Sequence, residues 1–195
     1  MKALAFLSTT MLTVSVVYAD EDSKLYFKTE GGAAFQQHVH VTIPGTLEVD
    51  LKTEAGPRFD FSVGYQFKES LSAELNTGLV ITKLQDVGRH DFYQIPIMAN
   101  LIWQPQEGKL GPFVGAGIGG IEIILDPNVL PASTDSDLVF GGQIMAGFRY
   151  RFRKHFEVGL TYKFLYATTA VSDSTGASIG PSLTHSVLAA FVCKF

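Results

Sequence analysis

The sequence predicts an all-β fold, an eight-stranded antiparallel up-and-down barrel that crosses a membrane. Apolar and polar side chains alternate over stretches of about ten residues, as in tilted membrane strands. The chain is rich in Phe (15) and Gly (19) and only 17% charged, which favours strands and tight turns over helices. Long and short connections alternate between the predicted strands, as they do when antiparallel neighbours follow one another around a sheet.

The N-terminal segment has the features of a secretory signal peptide. Lys2 supplies a positive start, an apolar run follows, and Val17 and Ala19 form a small-x-small cleavage pattern. Polar residues interrupt the apolar run, whereas a spanning helix needs about 20 apolar residues. We therefore expect a cleaved signal peptide over residues 1–19 and one barrel domain over residues 20–195.

Composition excludes several classes of protein. The chain has 15 basic and 19 acidic residues, and loss of Lys2 makes it more acidic, which argues against nucleic acid as a partner. Cys193 is the single cysteine, so the stability of an exported chain cannot come from an internal disulfide. No later segment has the roughly 18 uninterrupted apolar residues of a spanning helix.

The first four predicted strands each have an apolar and a mixed face. The second is the clearest, because Phe59 and Phe61 alternate with Arg58 and Asp60. The fourth contains Pro96, which cannot donate to a strand ladder, so we expect a bulge or local break there. The predicted bounds are 24–36, 53–67, 71–82 and 92–104.

The fifth predicted strand carries three glycines in phase, Gly115, Gly117 and Gly119. No Lys-Ser or Lys-Thr pair follows them and no helix pattern begins, so the segment does not read as a phosphate-binding loop. Glycine in a barrel strand permits tight curvature and close approach of side chains. The last four strands are predicted over 110–125, 138–152, 155–168 and 185–195.

The connections predict the topology. They run long, short, long, short, long, short, long, so every long loop lies at one end and every short turn at the other. Eight strands then bring both termini to the turn end, and closure leaves no free edge inside a bilayer.

The distribution of polarity predicts which face is the lumen. An eight-stranded barrel encloses room for about one layer of side chains, which the many bulky apolar residues would overfill. We therefore expect these to face lipid, with aromatics near the turn end forming an interfacial belt. The expected belt is Tyr65, Phe67, Trp103, Phe113, Tyr150, Phe152, Phe156 and Phe195.

The opposite rows carry charges of both signs in near balance, which predicts a lumen plugged by ion pairs and not an open pore. The predicted network is Lys28, Glu30, Arg58, Asp60, Glu74, Glu122, Arg149, Arg151, Glu157, Lys163 and Lys194.

The chain resembles the small eight-stranded outer-membrane barrels of the OmpA, OmpX and opacity-protein type. The resemblance is carried by Pro-Phe-Val-Gly-Ala-Gly at 112–117, Val-Gly-Leu-Thr-Tyr-Lys-Phe at 158–164 and the terminal Phe195. It implies an outer membrane of the Gram-negative type, periplasmic termini and recognition by the barrel-assembly machinery. The C-terminal assembly signal that it implies comprises Phe191, Cys193 and Phe195.

Two groups of residues are candidates for a chemical site. Ser186 directly follows His185, so their side chains point to opposite faces of a strand and do not form a nucleophile and base pair. His38 and His40 lie in a predicted loop, and two imidazoles seldom form a specific metal site. We expect no catalytic residue, no cofactor and no metal.

The expected role is non-enzymatic, with a structural part in the envelope and outer loops available for adhesion-like contact. The alternative is a narrow porin or a conduit for small solutes, and a lipid-modifying enzyme ranks third. The expected partners are outer-membrane lipid and lipopolysaccharide, together with an extracellular ligand at the loops. The loops are rich in acidic residues, which suits divalent cations bridging to lipopolysaccharide phosphates or simply solubility. We expect a monomer.

Overall fold

The computed structural model describes most of the predicted barrel domain. Within this part of the chain there is no helix long and apolar enough to cross a bilayer. The predicted signal peptide, residues 1–19, lies outside the described residues, as does His38 of the candidate pair His38 and His40. The described residues are 24–37, 39–43, 47–51, 53–84, 90–105, 108–125, 136–171 and 178–195.

All the regular structure of these residues is β-strand. In chain order the strands are β1 (Leu25–Gln36), β2 (Val39–Ile43), β3 (Leu47–Leu51), β4 (Thr53–Glu54), β5 (Gly56–Lys68), β6 (Leu71–Leu84), β7 (His90–Trp103), β8 (Leu110–Leu125), β9 (Ser136–Arg153), β10 (Phe156–Ala167), β11 (Ala170–Val171), β12 (Ser178–Ile179) and β13 (Ser182–Lys194).

Eight long strands form a closed antiparallel wall, which confirms the predicted fold. Around the wall the neighbours run β6, β5, β1, β13, β10, β9, β8 and β7, and pairing of β6 with β7 closes the ring. The first and last wall strands are therefore partners, with Phe27 opposite Cys193. Closure leaves no wall strand with an unpaired edge inside the membrane.

Side chains alternate between lipid and lumen along each wall strand. On β5, Phe59 and Phe61 are 52% and 51% exposed, whereas Arg58 and Asp60, which alternate with them, are 0% and 1% exposed. A soluble barrel would have the opposite arrangement, with its apolar row inside. The bulky apolar rows face outward, as the composition required.

The long loops contain strands that the alternation did not predict. A second sheet in the order β11, β12, β2 and β3 joins the first and the last long loop. β4 extends the edge of β5 by pairing with β6. Several wall strands also run past their predicted ends, so that residues 85–89 alone separate β6 from β7.

The wall adapts to Pro96 without an inserted residue. The ladder between β6 and β7 is interrupted next to Pro96, between the pairs Thr77 with Ile97 and Val80 with Gln94. The register is the same on both sides of the gap, so the predicted local break occurs but the predicted bulge does not. On its other side Pro96 pairs with Ile121 in an unbroken ladder.

Candidate functional site: the lumen

A layer of buried ion pairs crosses the lumen at mid-height. The Lys163 ammonium lies 2.6 Å from Glu30 Oε2 and 2.6 Å from Asp60 Oδ2. Lys28 continues the chain, 3.3 Å from Glu30 Oε2 and 2.6 Å from Glu74 Oε2. Because the partners come from β1, β5, β6 and β10, the contacts span the interior and do not follow one strand.

The Arg58 guanidinium extends this layer toward the closing strand. Its Nη2 lies 3.0 Å from Asp60 Oδ2, and its Nη1 donates to Ser186 Oγ at 3.1 Å. Arg58 and Lys163 both have a relative exposure of 0%, so neither cation is in contact with solvent. The charges are neutralised by one another, which is how a low-dielectric interior tolerates them.

Arg149 occupies the lumen on the turn side of this layer. It lies 3.4 Å from Glu74 Oε1 and donates to Gln104 Oε1 at 3.1 Å. Its guanidinium carbon stands 4.5 Å above the centre of the Phe113 ring, a cation–π geometry that favours arginine. Tyr26 donates to Glu74 as well, at 2.8 Å.

Glu157 holds two cations at the turn end. Its Oε1 accepts from Arg151 Nε at 3.0 Å and lies 2.8 Å from the Lys194 ammonium. The Arg151 and Lys194 side chains are 33% and 14% exposed. The ion pairs at the turn end are therefore partly hydrated, in contrast to the mid-height layer.

The structure brings together ten of the eleven residues predicted for the lumen network. Eight are buried, namely Lys28, Glu30, Arg58, Asp60, Glu74, Arg149, Glu157 and Lys163. Arg151 and Lys194 join them through Glu157.

Glu122 is the exception, and its placement corrects the prediction. On β8 it pairs with Ile95 and Leu138, and Leu138 is 73% exposed, so Glu122 lies on the outward row. The predicted placement of Phe113 is wrong for the same reason. It was expected in the outer belt, but its side chain faces the lumen and is 1% exposed. Both rows of β8 are largely apolar, so alternation could not set its phase.

Two apolar clusters, which the polarity argument did not predict, fill the lumen beside β7, β8, β9 and the end of β10. The larger is Phe92, Met98, Ile121, Ile123, Val139, Leu165 and Ala167. The smaller is Ile102, Phe113 and Met145. The lumen therefore has an ionic side and an apolar side.

Glycines on the inner row of β8 allow a close approach to β7. A Cβ at Gly117 would overlap the side-chain oxygen of Asn100, and one at Gly119 would overlap the carbonyl oxygen of Ile97. Asn100 in turn accepts from Gln143 Nε2 at 2.6 Å. The expected close approach at these glycines is confirmed.

His185 and Ser186 lie on opposite faces, as their adjacency predicted. His185 Nδ1 is 2.6 Å from the Tyr162 hydroxyl on the outer face, whereas Ser186 is buried and bonded to Arg58. The two cannot act together on one substrate. Among the described residues, no group of three or more His, Cys, Asp or Glu side chains could hold a metal ion.

The residues of the predicted C-terminal signal share the outer row of β13. Phe191 is 42% exposed, and its ring stacks on that of Phe156 at 5.8 Å between centroids. Cys193 and Phe195 are half-buried on the same side. Recognition of this row by the assembly machinery stays a prediction.

Comparison with known proteins assigns the family. Residues 4–195 match the family described as the outer membrane protein beta-barrel domain. The chain belongs to this family. It is accordingly an outer-membrane barrel of the Gram-negative type. A comparison with curated proteins found no significant match.

Solved structures share the fold at low sequence identity. Neisserial surface protein A (NspA) is 17% identical with a TM-score of 0.62, covering 89% of this chain and 98% of its own. The outer membrane protein OprG from Pseudomonas aeruginosa is 15% identical with a TM-score of 0.59, covering 87% and 96%. The outer membrane protease OmpT from Escherichia coli is 8% identical with a TM-score of 0.53, covering 93% and 99%. At these identities the likeness concerns the fold.

Proposed function

We propose that this chain is a non-enzymatic envelope barrel with a closed lumen, which presents its outer loops for adhesion-like contact. The observation that carries this proposal is the layer formed by Lys28, Arg58 and Lys163, each 0% exposed. Their carboxylate partners lie within 3.3 Å. An ion would have to break several buried pairs in order to pass.

The energetics of the layer support a permanent plug. Removing one partner of a buried ion pair leaves an uncompensated charge and costs about 3–5 kcal/mol. Lys163 bridges two carboxylates at once, so opening at this point disrupts both. The neighbouring apolar side is filled by buried side chains, which adds a second barrier to water and ions.

The organisation of the outer loops supports a role in surface contact. β12 pairs with β2, so the first and last long loops are joined in one sheet with β3 and β11. Paired backbone gives these loops a defined shape, and loops on a rigid scaffold are the usual location of binding function. The proposal places this end outside the cell and both termini in the periplasm.

Conductance in planar bilayers tests the closed lumen. The folded protein should give no open steps, whereas Lys28→Ser combined with Lys163→Ser should give discrete steps. A difference in gel mobility between the unheated and the heated sample of each protein verifies that the barrel is folded. Repeated open steps of the unaltered protein that change in Arg149→Ala would contradict the proposal.

A second candidate is a conduit for small apolar solutes, favoured by the larger apolar cluster in the lumen. Its members include Phe92, Ile121 and Leu165, which are 1%, 0% and 1% exposed. Liposome uptake of a small alkane or aromatic probe tests it. Uptake that is lost in Phe92→Asp would favour the conduit, and uptake equal to that of protein-free liposomes would reject it.

The proposed partners follow from the location. Outer-membrane lipid and lipopolysaccharide surround the wall, and an extracellular ligand would meet the loop sheet. Phe191, Cys193 and Phe195 are proposed as the signal read by the barrel-assembly machinery. Crosslinking of Phe195→Ala to that machinery, compared with the unaltered chain, tests this assignment, and equal crosslinking and membrane yield would reject it.

A further inference from the structure

Three buried amide side chains line the lumen from β6 to β9. Asn76 Nδ2 donates to Ser62 Oγ at 3.0 Å, and Gln143 Nε2 donates to Asn100 Oδ1 at 2.6 Å. Asn76, Asn100 and Gln143 are 0%, 4% and 3% exposed, and we call these three residues the amide belt. Ser62 is directly opposite Lys28, so the belt begins beside the ion-pair layer.

The amide belt has two buried atoms that no other group of the described chain satisfies. These are Asn76 Oδ1 and Asn100 Nδ2, neither of which has a hydrogen-bond partner. The first is an acceptor and the second is a donor. Leaving a buried polar group unpaired is costly, and nearly all such groups in folded proteins are bonded to protein or to ordered water. A donor and an acceptor that face each other would therefore share a ligand.

The contacts of the two asparagines show that these atoms do face each other. Asn76 Nδ2 is turned toward β5, because it donates to the Phe61 carbonyl at 3.1 Å, so Asn76 Oδ1 is turned toward β7. Asn100 Oδ1 is turned toward β8, where it occupies the space that a Cβ of Gly117 would need. Asn100 Nδ2 is therefore turned back toward β6, the strand that carries Asn76.

The strand register sets the distance between the two asparagines. Asn76 is paired with Met98, and Asn100 is paired with Glu74, so the asparagines are diagonal neighbours on the inner face, about 7–8 Å apart. Two short amide side chains at this separation leave room for one small molecule between their ends. A bridging water spans about 5.5 Å, the sum of two hydrogen bonds. Met98 is 0% exposed, so the gap lies in the interior and not at the mouth of the barrel.

We infer that the amide belt binds one ordered water molecule, which accepts from Asn100 Nδ2 and donates to Asn76 Oδ1. Water suits the site because one small neutral molecule must be both acceptor and donor, whereas a cation would be repelled by the amide hydrogens and an anion by the amide oxygen. Gln143 Oε1 is also buried without a partner and offers a further acceptor on the belt, and buried waters typically make about three hydrogen bonds. The inference depends on neither the closed lumen nor the loop contact.

Magnetisation transfer between water and protein tests the site by NMR. The full mature chain is labelled with nitrogen-15 and carbon-13 and folded in detergent micelles, and the side-chain amide protons of Asn100 are assigned by triple-resonance spectroscopy. In the rotating frame these protons should give a cross-peak at the water frequency, with the sign of a dipolar contact and opposite to that of hydrogen exchange. The absence of a dipolar cross-peak at Asn100 would overturn the inference.

Two variants locate the water within the lumen. Asn76→Leu removes the acceptor and keeps a side chain of similar length, so the cross-peak at Asn100 should be lost. Thr184→Val is the matched control, because it removes a buried hydroxyl that donates to Gln94 and not to the belt, and it should preserve the cross-peak. An unchanged cross-peak in Asn76→Leu would overturn the inference. The first comparison needs only the unaltered chain, so it decides the matter even where a variant does not fold.

Discussion

The ammonium nitrogen of Lys28 lies 2.6 Å from Oε2 of Glu74, and neither side chain exposes any surface. Lys28 is on β1 and Glu74 on β6, with β5 between them in the wall. The contact therefore crosses the interior and braces strands that are not neighbours. Because water is excluded, each charge depends on the other for its solvation.

Breaking this pair should be costly. Lys28→Met should lower the free energy of unfolding by about 3–5 kcal/mol, because it leaves Glu74 and Glu30 with less compensation in a buried site. Urea unfolding in lipid vesicles measures the difference. Lys68→Met, at an exposed position, is the control and should change stability by less than about 0.5 kcal/mol. Similar losses in the two variants would show that Lys28 is hydrated.

The inner glycines of β8 should not tolerate a methyl group. Gly119→Ala would place a Cβ against the carbonyl oxygen of Ile97, and overpacking of this kind costs about 1–3 kcal/mol. Gly142→Ala is the matched control, since its nearest atom is the Gly117 carbonyl oxygen at 3.6 Å. Unfolding in urea compares the two, and equal stability would indicate that the wall is less tightly curved at Gly119 than described.

The outward placement of Glu122 has a measurable consequence. Glu122→Leu should change the free energy of unfolding by no more than about 1 kcal/mol, as expected for an acidic residue on the outer face near a membrane boundary. Glu74→Leu, inside the lumen, should lower the free energy of unfolding by more than about 3 kcal/mol, because it removes the carboxylate that pairs with Lys28 and Arg149. A large loss in Glu122→Leu would return this residue to the lumen.

Cleavage after Ala19 remains a prediction. The exported protein should begin at Asp20, and Ala19→Arg should block processing because the signal peptidase requires a small residue there. Intact-mass measurement of the membrane fraction distinguishes precursor from mature protein. Ser8→Arg is not a suitable control, since it alters the apolar run, whereas Asp22→Asn should be processed normally. A mature mass that retains residues 1–19 would refute the cleavage.

Alternation alone predicted the eight wall strands and the lumen positions on seven of them. On β5 the two rows differ sharply, with Phe59 and Phe61 against Arg58 and Asp60, so the face is unambiguous. On β8 the inner row contains Phe113 and Ile121 and the outer row Ile118 and Glu122. A lone charge near the end of such a strand does not set the phase, because the end of a membrane strand lies near water.

The apolar side of the lumen and the loop sheet could not be predicted from the alternation of apolar and polar residues. Met98 and Leu165 lie on rows that also carry Gln94 and Lys163. A row of mixed polarity indicates only that this face of the strand does not point toward lipid. The loop sheet is held together by the pairing of β12 with β2, two segments far apart in sequence. Such pairing is decided by tertiary structure and not by local pattern.

Because β1 pairs with β13, the barrel can close only when its last strand is present. Phe27 meets Cys193, so the seam forms between the earliest and the latest parts of the barrel to be synthesised. Until the final strand is in place, two unpaired strand edges stay available for association with other chains. Contacts this distant in sequence also form slowly. The same seam that leaves the finished barrel without a free edge therefore leaves the unfinished sheet with two.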